Sequence, residues 1–233
     1  MRRYVPFAII ALVGLLTVGV ATAVYRAKMH RPKPPVSASA ASPSPGISPS
    51  AVPAEAKEDE NIHARGPQNA PVTMEVYGDF QCPSCAIATG MIDELEKEYS
   101  GKLRVIFRQF PLAMHQHAVK AAMAAEAAGL QGHFWEMHDM LYKNQPVWSK
   151  ASDPSAFFGA YAESLGLDGG QFALDAKSPE VQARIISEGD AGVARGVKNT
   201  PTIFVDGVEV LNAFRREVLQ QAIEGALAQK KKG

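Results

Sequence analysis

Cysteine is scarce in this sequence. Its 233 residues include only two, Cys82 and Cys85, and two residues separate them. A disulfide between them closes a loop of four residues, which stabilises a fold by only about 2 kcal/mol, so a purely structural role is disfavoured. A zinc site needs about four N, S or O ligands, and the sequence has no second cysteine pair. Redox chemistry is therefore favoured, with a metal site as the second interpretation.

The chain also has no formal net charge. The chain has 24 Lys and Arg residues against 24 Asp and Glu residues, giving a formal net charge of zero. A nucleic-acid-binding surface requires clustered positive charge, so this composition gives no indication of one. The length allows one sizeable domain with appendages.

Long apolar runs are absent apart from residues 5–24, which are uncharged and mostly apolar. As a helix this run is about 30 Å long, enough to cross a bilayer. Two arginines precede it, so we expect a cytoplasmic N-terminus. A small-x-small triplet allows signal-peptidase cleavage after Ala23, which would give a secreted protein. Because the run exceeds an ordinary signal sequence, we predict an uncleaved single-pass membrane anchor within residues 1–30, with the remainder on the extracytoplasmic (periplasmic or extracellular) side.

Residues 31–61 lack aromatic side chains and are rich in proline, serine and alanine. Such a composition cannot bury enough apolar surface to fold. We predict an extended, disordered linker that lets the following domain reach its substrates.

Residues 62–230 have the pattern of one α/β domain. Apolar runs typical of buried parallel strands flank an amphipathic helix, which predicts a βαβ unit. A helical insertion is expected at about residues 112–196, and an Asp-Gly turn predicts a late hairpin. The predicted strands are residues 72–77, 103–108, 202–205 and 208–211. The predicted helices are residues 86–99, 115–128, 134–142, 153–165, 179–195 and 214–228. The aromatic residues predicted to form the core of the insertion are Phe134, Trp135, Phe157, Phe158 and Tyr161.

The first cysteine lies where a strand gives way to a helix. Pro83 suits the first helical position, which makes Cys82 the N-cap. The N–H groups of Ser84 and Cys85 then point back at its sulfur, and the helix dipole adds positive potential. These effects are expected to lower the pKa of Cys82 from about 8.5 to somewhere within ~3.5–7.5. Cys82 is therefore predicted to be an acidic, exposed thiol, and Cys85 a more buried and less reactive one.

A second informative stretch is Thr200-Pro201, at the start of a predicted strand. Most such bonds are trans. Beside a redox cysteine pair, a cis bond would turn the Thr200 carbonyl and N–H toward the disulfide, where they could pair with an extended client chain.

Together these stretches resemble a DsbA-like thiol:disulfide oxidoreductase of the thioredoxin superfamily. The matching stretches are Ala70-Pro71-Val72-Thr73, Gly78-Asp79-Phe80-Gln81-Cys82-Pro83-Ser84-Cys85, Phe110-Pro111-Leu112 with His115, Phe134-Trp135-Glu136-Met137-His138, and Thr200-Pro201-Thr202 leading to Asp206-Gly207. The resemblance implies a thioredoxin fold with a helical insertion, Cys82 as the attacking cysteine, Cys85 as the resolving one, and Pro201 in cis.

One position departs from that family. Its members often carry a buried carboxylate six residues before the first cysteine, where it moves protons to or from the second. Here that position is Val76, and Glu75 should point to the opposite face of the strand. Proton transfer at Cys85 then depends on water, or the strand is locally bulged. No histidine is assigned a catalytic role. His115 and His117 follow the second predicted strand, which allows a position near the cysteines, but they are expected to be polar surface residues.

The sequence therefore predicts an exported, membrane-tethered thiol:disulfide oxidoreductase that introduces disulfides into client proteins. Cys82 and Cys85 carry the chemistry, and Pro83, Ser84, Thr200 and Pro201 shape the site. The resemblance implies reduced or unfolded clients, a membrane quinone-linked oxidase of the DsbB or VKOR-like type as recycling partner, and no metal or organic cofactor. A thiol reductase or disulfide isomerase is the alternative. A peptide-binding chaperone with an incidental cysteine pair is a third, and it would keep its function with both cysteines changed to serine.

Overall fold

The structure is a computed structural model that describes residues 63–232. The predicted anchor and linker, residues 1–61, lie outside this range, so they and the proposed domain boundaries stay predictions. Within the described range, none of the helices has the length and apolar character needed to cross a bilayer.

A five-stranded mixed sheet forms the centre of the domain. Its strands are β1 (His63–Arg65), β2 (Val72–Gly78), β3 (Leu103–Gln109), β4 (Thr202–Val205) and β5 (Val208–Glu209). They lie in the order β1-β3-β2-β4-β5. Strands β2 and β3 are parallel, as the predicted βαβ unit requires, and the other pairs are antiparallel.

Eight helices surround the sheet among the described residues. They are α1 (Pro83–Glu98), α2 (Ala118–Leu130), α3 (Phe134–Lys143), α4 (Gln145–Trp148), α5 (Ser155–Ser164), α6 (Gly169–Asp175), α7 (Pro179–Ala194) and α8 (Arg216–Lys230). Six of them, α2 to α7, lie between β3 and β4 in the chain. The predicted α/β fold with a run of helices inserted before the last strands is confirmed.

The core is divided between two main clusters. In one, Val72, Met74 and Val76 of β2 pack against α1 and α8, represented by Leu95 and Leu219. In the other, the alanine-rich face of α2 packs against large aromatic residues of the following helices. Its aromatic members include Phe80, Phe107, Phe134, Trp148, Phe158 and Phe172, and both cysteines belong to it. The five aromatic residues predicted to form the core of the insertion all pack in this cluster.

Several local predictions need correction. Strand β1 and the short helices α4 and α6 were not predicted, because three to seven residues are too few to show a clear period. Helix α8 begins at Arg216 rather than 214, which leaves Phe214 54% exposed. The second hairpin strand ends at Glu209 rather than 211. The turn before it is confirmed, since Asp206 and Gly207 have φ angles of 47° and 82°, the pair of positive values that a type I′ turn requires.

Candidate active site

The cysteine pair lies at the end of β2 and the start of α1. Cys82 is the N-cap of α1 and Pro83 follows it in the first turn, as predicted. Phe80 is only 1% exposed and its ring stacks on Phe107 at 5.1 Å, which anchors the loop before the cysteines. Pro83 is exposed and Ser84 is partly buried, so these two residues form the outer edge of the site.

A buried glutamine from the helical insertion holds this loop. Gln145 is 5% exposed, and its Nε2 donates to the carbonyls of Phe80 (2.7 Å) and Cys82 (3.0 Å). The backbone N–H of His117 donates to Gln81 Oε1 at 2.6 Å. His117 itself is 3% exposed and its Nε2 bonds to the Ala151 carbonyl, so the expectation of a surface histidine is wrong.

A buried carboxylate fixes the other side of the loop. Asp79 Oδ1 accepts from the N–H of Gln81 at 2.7 Å, and Oδ2 accepts from the N–H of Leu112 at 2.9 Å. His115 Nδ1 lies 2.7 Å from the same Oδ2. His115 is thus bound to the loop rather than free at the surface, and it orients Asp79. The segment that contains Asp79 and Gln81 and the segment that contains Leu112 and His115 therefore meet through this carboxylate.

The Thr200–Pro201 bond is cis, as predicted. The Cys82 thiol donates to the Thr200 carbonyl across 3.3 Å. Since a carbonyl accepts a hydrogen bond only from the neutral thiol, this contact does not favour ionisation. The buried Thr200 hydroxyl has no hydrogen-bond partner in the described part of the chain, which leaves it available to a thiolate.

The pKa of Cys82 is lowered to about 5, but the main donor is not one of the backbone N–H groups that the sequence predicted. The largest cause is a hydrogen bond from the Cys85 thiol; burial opposes it, and the Thr200 side chain lowers the pKa further. The backbone N–H groups of Cys85 and Ser84 contribute least, and neither forms a cap hydrogen bond to the neutral sulfur. Cys82 is acidic as predicted, but at 6% exposure it is not an exposed thiol. The adjacent Thr200 backbone helps cover it.

Cys85 behaves in the opposite way. Burial raises its pKa far above the ordinary value, and donation of its proton to Cys82 raises it further. The thiol is 3% exposed and belongs to the buried aromatic cluster. The sequence-based expectation of a buried, weakly reactive second cysteine agrees with this geometry.

The position that carries a carboxylate in many DsbA-like proteins is apolar here. Val76 packs in the cluster between the sheet and helices α1 and α8. Glu75 points to the opposite face, where it pairs with Arg195 and lies 3.6 Å from Arg108. The pairing register of β2 runs continuously from Val72 to Gly78, so the alternative of a local bulge is wrong.

Comparison with known proteins places this geometry in context. The sequence model of a family described as thioredoxin matches residues 58–225. A thioredoxin-like oxidoreductase from Silicibacter pomeroyi shares 26% identity with a TM-score of 0.63, and the match covers 73% of this chain and 94% of that one. Oxidised BdbD from Bacillus subtilis is similar in fold, with 22% identity, a TM-score of 0.66, and coverage of 72% and 94%.

The curated relatives are larger proteins. A Na(+)/H(+) antiporter NhaA 1 from Salinispora arenicola is 38% identical over 172 residues, which are 73% of this chain but 26% of that protein. The chain thus spans about a quarter of the length of the curated relatives it matches.

Proposed function

We propose that this chain, which belongs to the thioredoxin family, introduces disulfide bonds into client proteins through Cys82 and Cys85, as its resemblance to DsbA-like thiol:disulfide oxidoreductases implies. Residues 1–30 anchor it in the cell membrane, and residues 31–61 hold the domain away from the extracytoplasmic surface. Reduced or unfolded proteins are its clients. A membrane quinone-linked oxidase of the DsbB or VKOR-like type reoxidises it. The site needs no metal or organic cofactor for this chemistry.

The main support for this proposal is that the two thiols differ in acidity: the pKa of Cys82 is lowered to about 5, and burial raises the pKa of Cys85 above its ordinary value. A client thiolate attacks Cys82 Sγ, a client–Cys82 disulfide forms, and the electron pair of the Cys82–Cys85 bond leaves on Cys85. A second client thiolate then attacks the client sulfur and releases Cys82. Because the pKa of Cys82 is about 5, it leaves as a stable thiolate at neutral pH. The client gains a disulfide, and the enzyme gains its two electrons.

The same ionisation sets the direction of exchange. The disulfide form carries no charge to stabilise, so a lowered pKa favours only the reduced enzyme. At pH 7, two units above the pKa of about 5, this preference is about 3 kcal/mol, or about 60 mV for a two-electron couple. It is absent below pH 5 and grows as the pH rises toward 9. The enzyme therefore holds its disulfide weakly and transfers it to clients.

The reduction potential of the full-length protein in mild detergent tests this proposal. We expect a value nearer to that of DsbA, about −120 mV, than to that of thioredoxin, about −270 mV. Its slope against pH should change from about 59 to about 30 mV per unit near pH 5, because one proton fewer is bound above the Cys82 pKa. A potential near −270 mV would favour the thiol reductase. Undiminished function after both cysteines are changed to serine would favour a chaperone.

A further inference from the structure

We propose that Gln81 and Gln145 act together as positioning residues that hold Cys82 in the geometry from which its disulfide is opened. These two residues form a glutamine clamp: the Gln81 side chain extends from the Cys82 loop to the helical insertion, and the Gln145 side chain extends from the insertion to the loop. Their described hydrogen bonds go to backbone groups, so each residue acts on the sulfur through the chain that carries it. The inference rests on the proposed disulfide exchange and assigns residues to its first step.

The first half of the clamp is the amide group of Gln145. Its Nε2 carries two hydrogens, and it donates to the Phe80 carbonyl at 2.7 Å and to the Cys82 carbonyl at 3.0 Å. These carbonyls lie two residues apart, so one group fixes the peptide bonds that follow both residues. The Cys82 carbonyl also accepts from the N–H groups of Cys85 and Ala86. The Phe80 carbonyl has the Gln145 amide as its described donor, so this contact is the one that the loop cannot replace.

The second half of the clamp is the side chain of Gln81, the residue directly before Cys82. Its Oε1 accepts from the N–H of His117 at 2.6 Å, and its Nε2 donates to the Ser149 carbonyl at 3.4 Å. The His117 ring donates from Nε2 to the Ala151 carbonyl at 2.8 Å. Since a carbonyl only accepts, this nitrogen carries the ring proton. These contacts join the residue before Cys82 to the start of α2 and to the segment that follows α4.

The clamp is attached to a well-anchored part of the insertion. Trp148, in the same short helix as Gln145, is 0% exposed, and its Nε1 donates to the Leu141 carbonyl at 2.7 Å. The Trp148 ring packs edge-on against Phe158 at 5.3 Å. Because α4 has only four residues, these contacts also fix the position of Gln145.

The sulfur of Cys82 contacts a different segment. Its Sγ lies 3.3 Å from the Thr200 carbonyl, and a hydrogen bond from Cys85 stabilises its thiolate. Cys82 is therefore held at its backbone by the clamp and at its sulfur by groups outside the clamp. If the loop shifts, the distances from Sγ to these groups change, and so does the direction from which a client thiolate attacks. Misplacing reacting atoms by about 1 Å can slow a reaction about 100-fold.

The experiment replaces Gln145 with two side chains of similar size. Gln145→Met has no donor at any pH. Gln145→Glu has none while its carboxyl is ionised and regains one when the carboxyl is protonated. Gln131→Met is the matched control, because Gln131 also bonds the backbone, at Asp168, but through exposed hydrogen bonds.

The opening of the disulfide is the main readout. Each oxidised full-length protein, in mild detergent, is mixed with excess reduced dithiothreitol, and its opening rate is divided by the wild-type rate at the same pH. The Cys82 pKa is measured in parallel from the thiolate absorbance of the reduced protein. Circular dichroism establishes that each variant is folded under the conditions used.

We expect Gln145→Met to open about tenfold more slowly at every pH, because small displacements of reacting atoms have effects of this size. Gln145→Glu should match Gln145→Met at pH 8.5 and return to within about threefold of the wild type at pH 5.5, since burial favours the protonated carboxyl. The Cys82 pKa, about 5 in the wild type, should rise by about 0.5 unit or more in Gln145→Met, because the donors to its thiolate are no longer aligned. Gln131→Met should match the wild type.

A double variant tests whether the two glutamines act together. Gln81→Met should also slow opening, and Gln81→Met combined with Gln145→Met should lose less than the product of the two single losses, because both side chains hold one loop. Losses that multiply would show that the two residues act independently, which overturns the clamp.

Other results also decide the inference. A Gln145→Met protein that is less stable, yet keeps the wild-type opening rate and Cys82 pKa, overturns it, since the contact then only stabilises the fold. So does a Gln145→Glu deficit that is unchanged between pH 8.5 and pH 5.5. If the wild-type disulfide does not exchange with thiols at all, the proposed function itself fails, and the Cys82 pKa of Gln145→Met still decides whether the clamp positions Cys82.

Discussion

The two cysteines lie one helical turn apart, yet their surroundings have opposite effects on ionisation. Their exposures, 6% for Cys82 and 3% for Cys85, differ little. Donation to the thiolate by the Cys85 thiol and the Thr200 side chain lowers the Cys82 pKa, and this effect outweighs that of burial, which raises it. For Cys85, burial outweighs its donors. Exposure alone therefore does not identify the reactive thiol; the balance between donors and desolvation does.

The largest expected effect separates the two thiols directly. In Cys85→Ser, the remaining Cys82 should be almost fully ionised at pH 7 and should accumulate mixed disulfides with clients. In Cys82→Ser, the remaining Cys85 should be alkylated at least about 100-fold more slowly, because less than about 1% of it is thiolate. Alkylation by iodoacetamide at pH 7 measures both rates. Equal rates in the two variants would contradict the comparison.

A smaller effect tests which donor lowers the Cys82 pKa. Cys85→Ala removes the donor, whereas Cys85→Ser keeps a hydroxyl in its place. We expect the Cys82 pKa to rise by roughly 1–2 units in the alanine variant and by less in the serine variant, since a hydrogen bond to a charged group contributes about 1.5–3 kcal/mol. Thiolate absorbance against pH measures both values. If the two variants match the wild type, the backbone donors predicted from the sequence carry the effect instead.

The next effect concerns the residue that holds the Cys82 loop. Gln145→Ala removes the hydrogen bonds to the Phe80 and Cys82 carbonyls, and only the Cys82 carbonyl keeps other donors, the N–H groups of Cys85 and Ala86. Because the Phe80 carbonyl loses the donor described for it, we expect the free energy of unfolding to fall by about 2 kcal/mol. Gln131→Ala is the matched control, because that glutamine also bonds the backbone, at Asp168, but in an exposed position. Urea unfolding of both variants gives the comparison. Equal losses would show that the buried contact to the loop has no special weight.

The smallest effect tests whether a distant carboxylate assists Cys85. Glu75→Gln should change the rate of disulfide exchange by less than about twofold, and its lost ion pairs should lower stability by at most about 1 kcal/mol. The physical reason is that Glu75 faces Arg195 on the opposite side of β2. Stopped-flow exchange with a reduced client checks the rate. A tenfold loss would place Glu75 in the proton path.

Much of the fold was predictable because its signals are local. The apolar strand predicted at 72–77, the proline after Cys82 and the Asp206-Gly207 turn each depend on signals within a few residues. The opposite face of Glu75 also followed from strand alternation. These features predicted the α/β order and the position of Cys82 at a helix start.

The missing parts of the site depend on contacts between distant segments. Gln145 lies about 60 residues from the cysteines in sequence, and no local pattern distinguishes it from other polar residues of the insertion. Asp79 and His115 were both in recognised motifs, but their contact requires the end of β2 to meet the loop after β3. Which donor lowers the Cys82 pKa most also depends on contacts between segments that are distant in sequence, such as that with Thr200.

The most direct test of this account is a pH titration of thiolate absorbance at 240 nm in the reduced wild-type protein. We predict that one thiolate forms with a midpoint near pH 5, matching the pKa of about 5 for Cys82, while the second thiol stays protonated beyond pH 9. Both midpoints are properties of the coupled pair, and their wide separation is the quantity of interest. Two thiolates appearing together near pH 9 would contradict the central claim that the two surroundings divide the pair into an acidic and a protonated thiol.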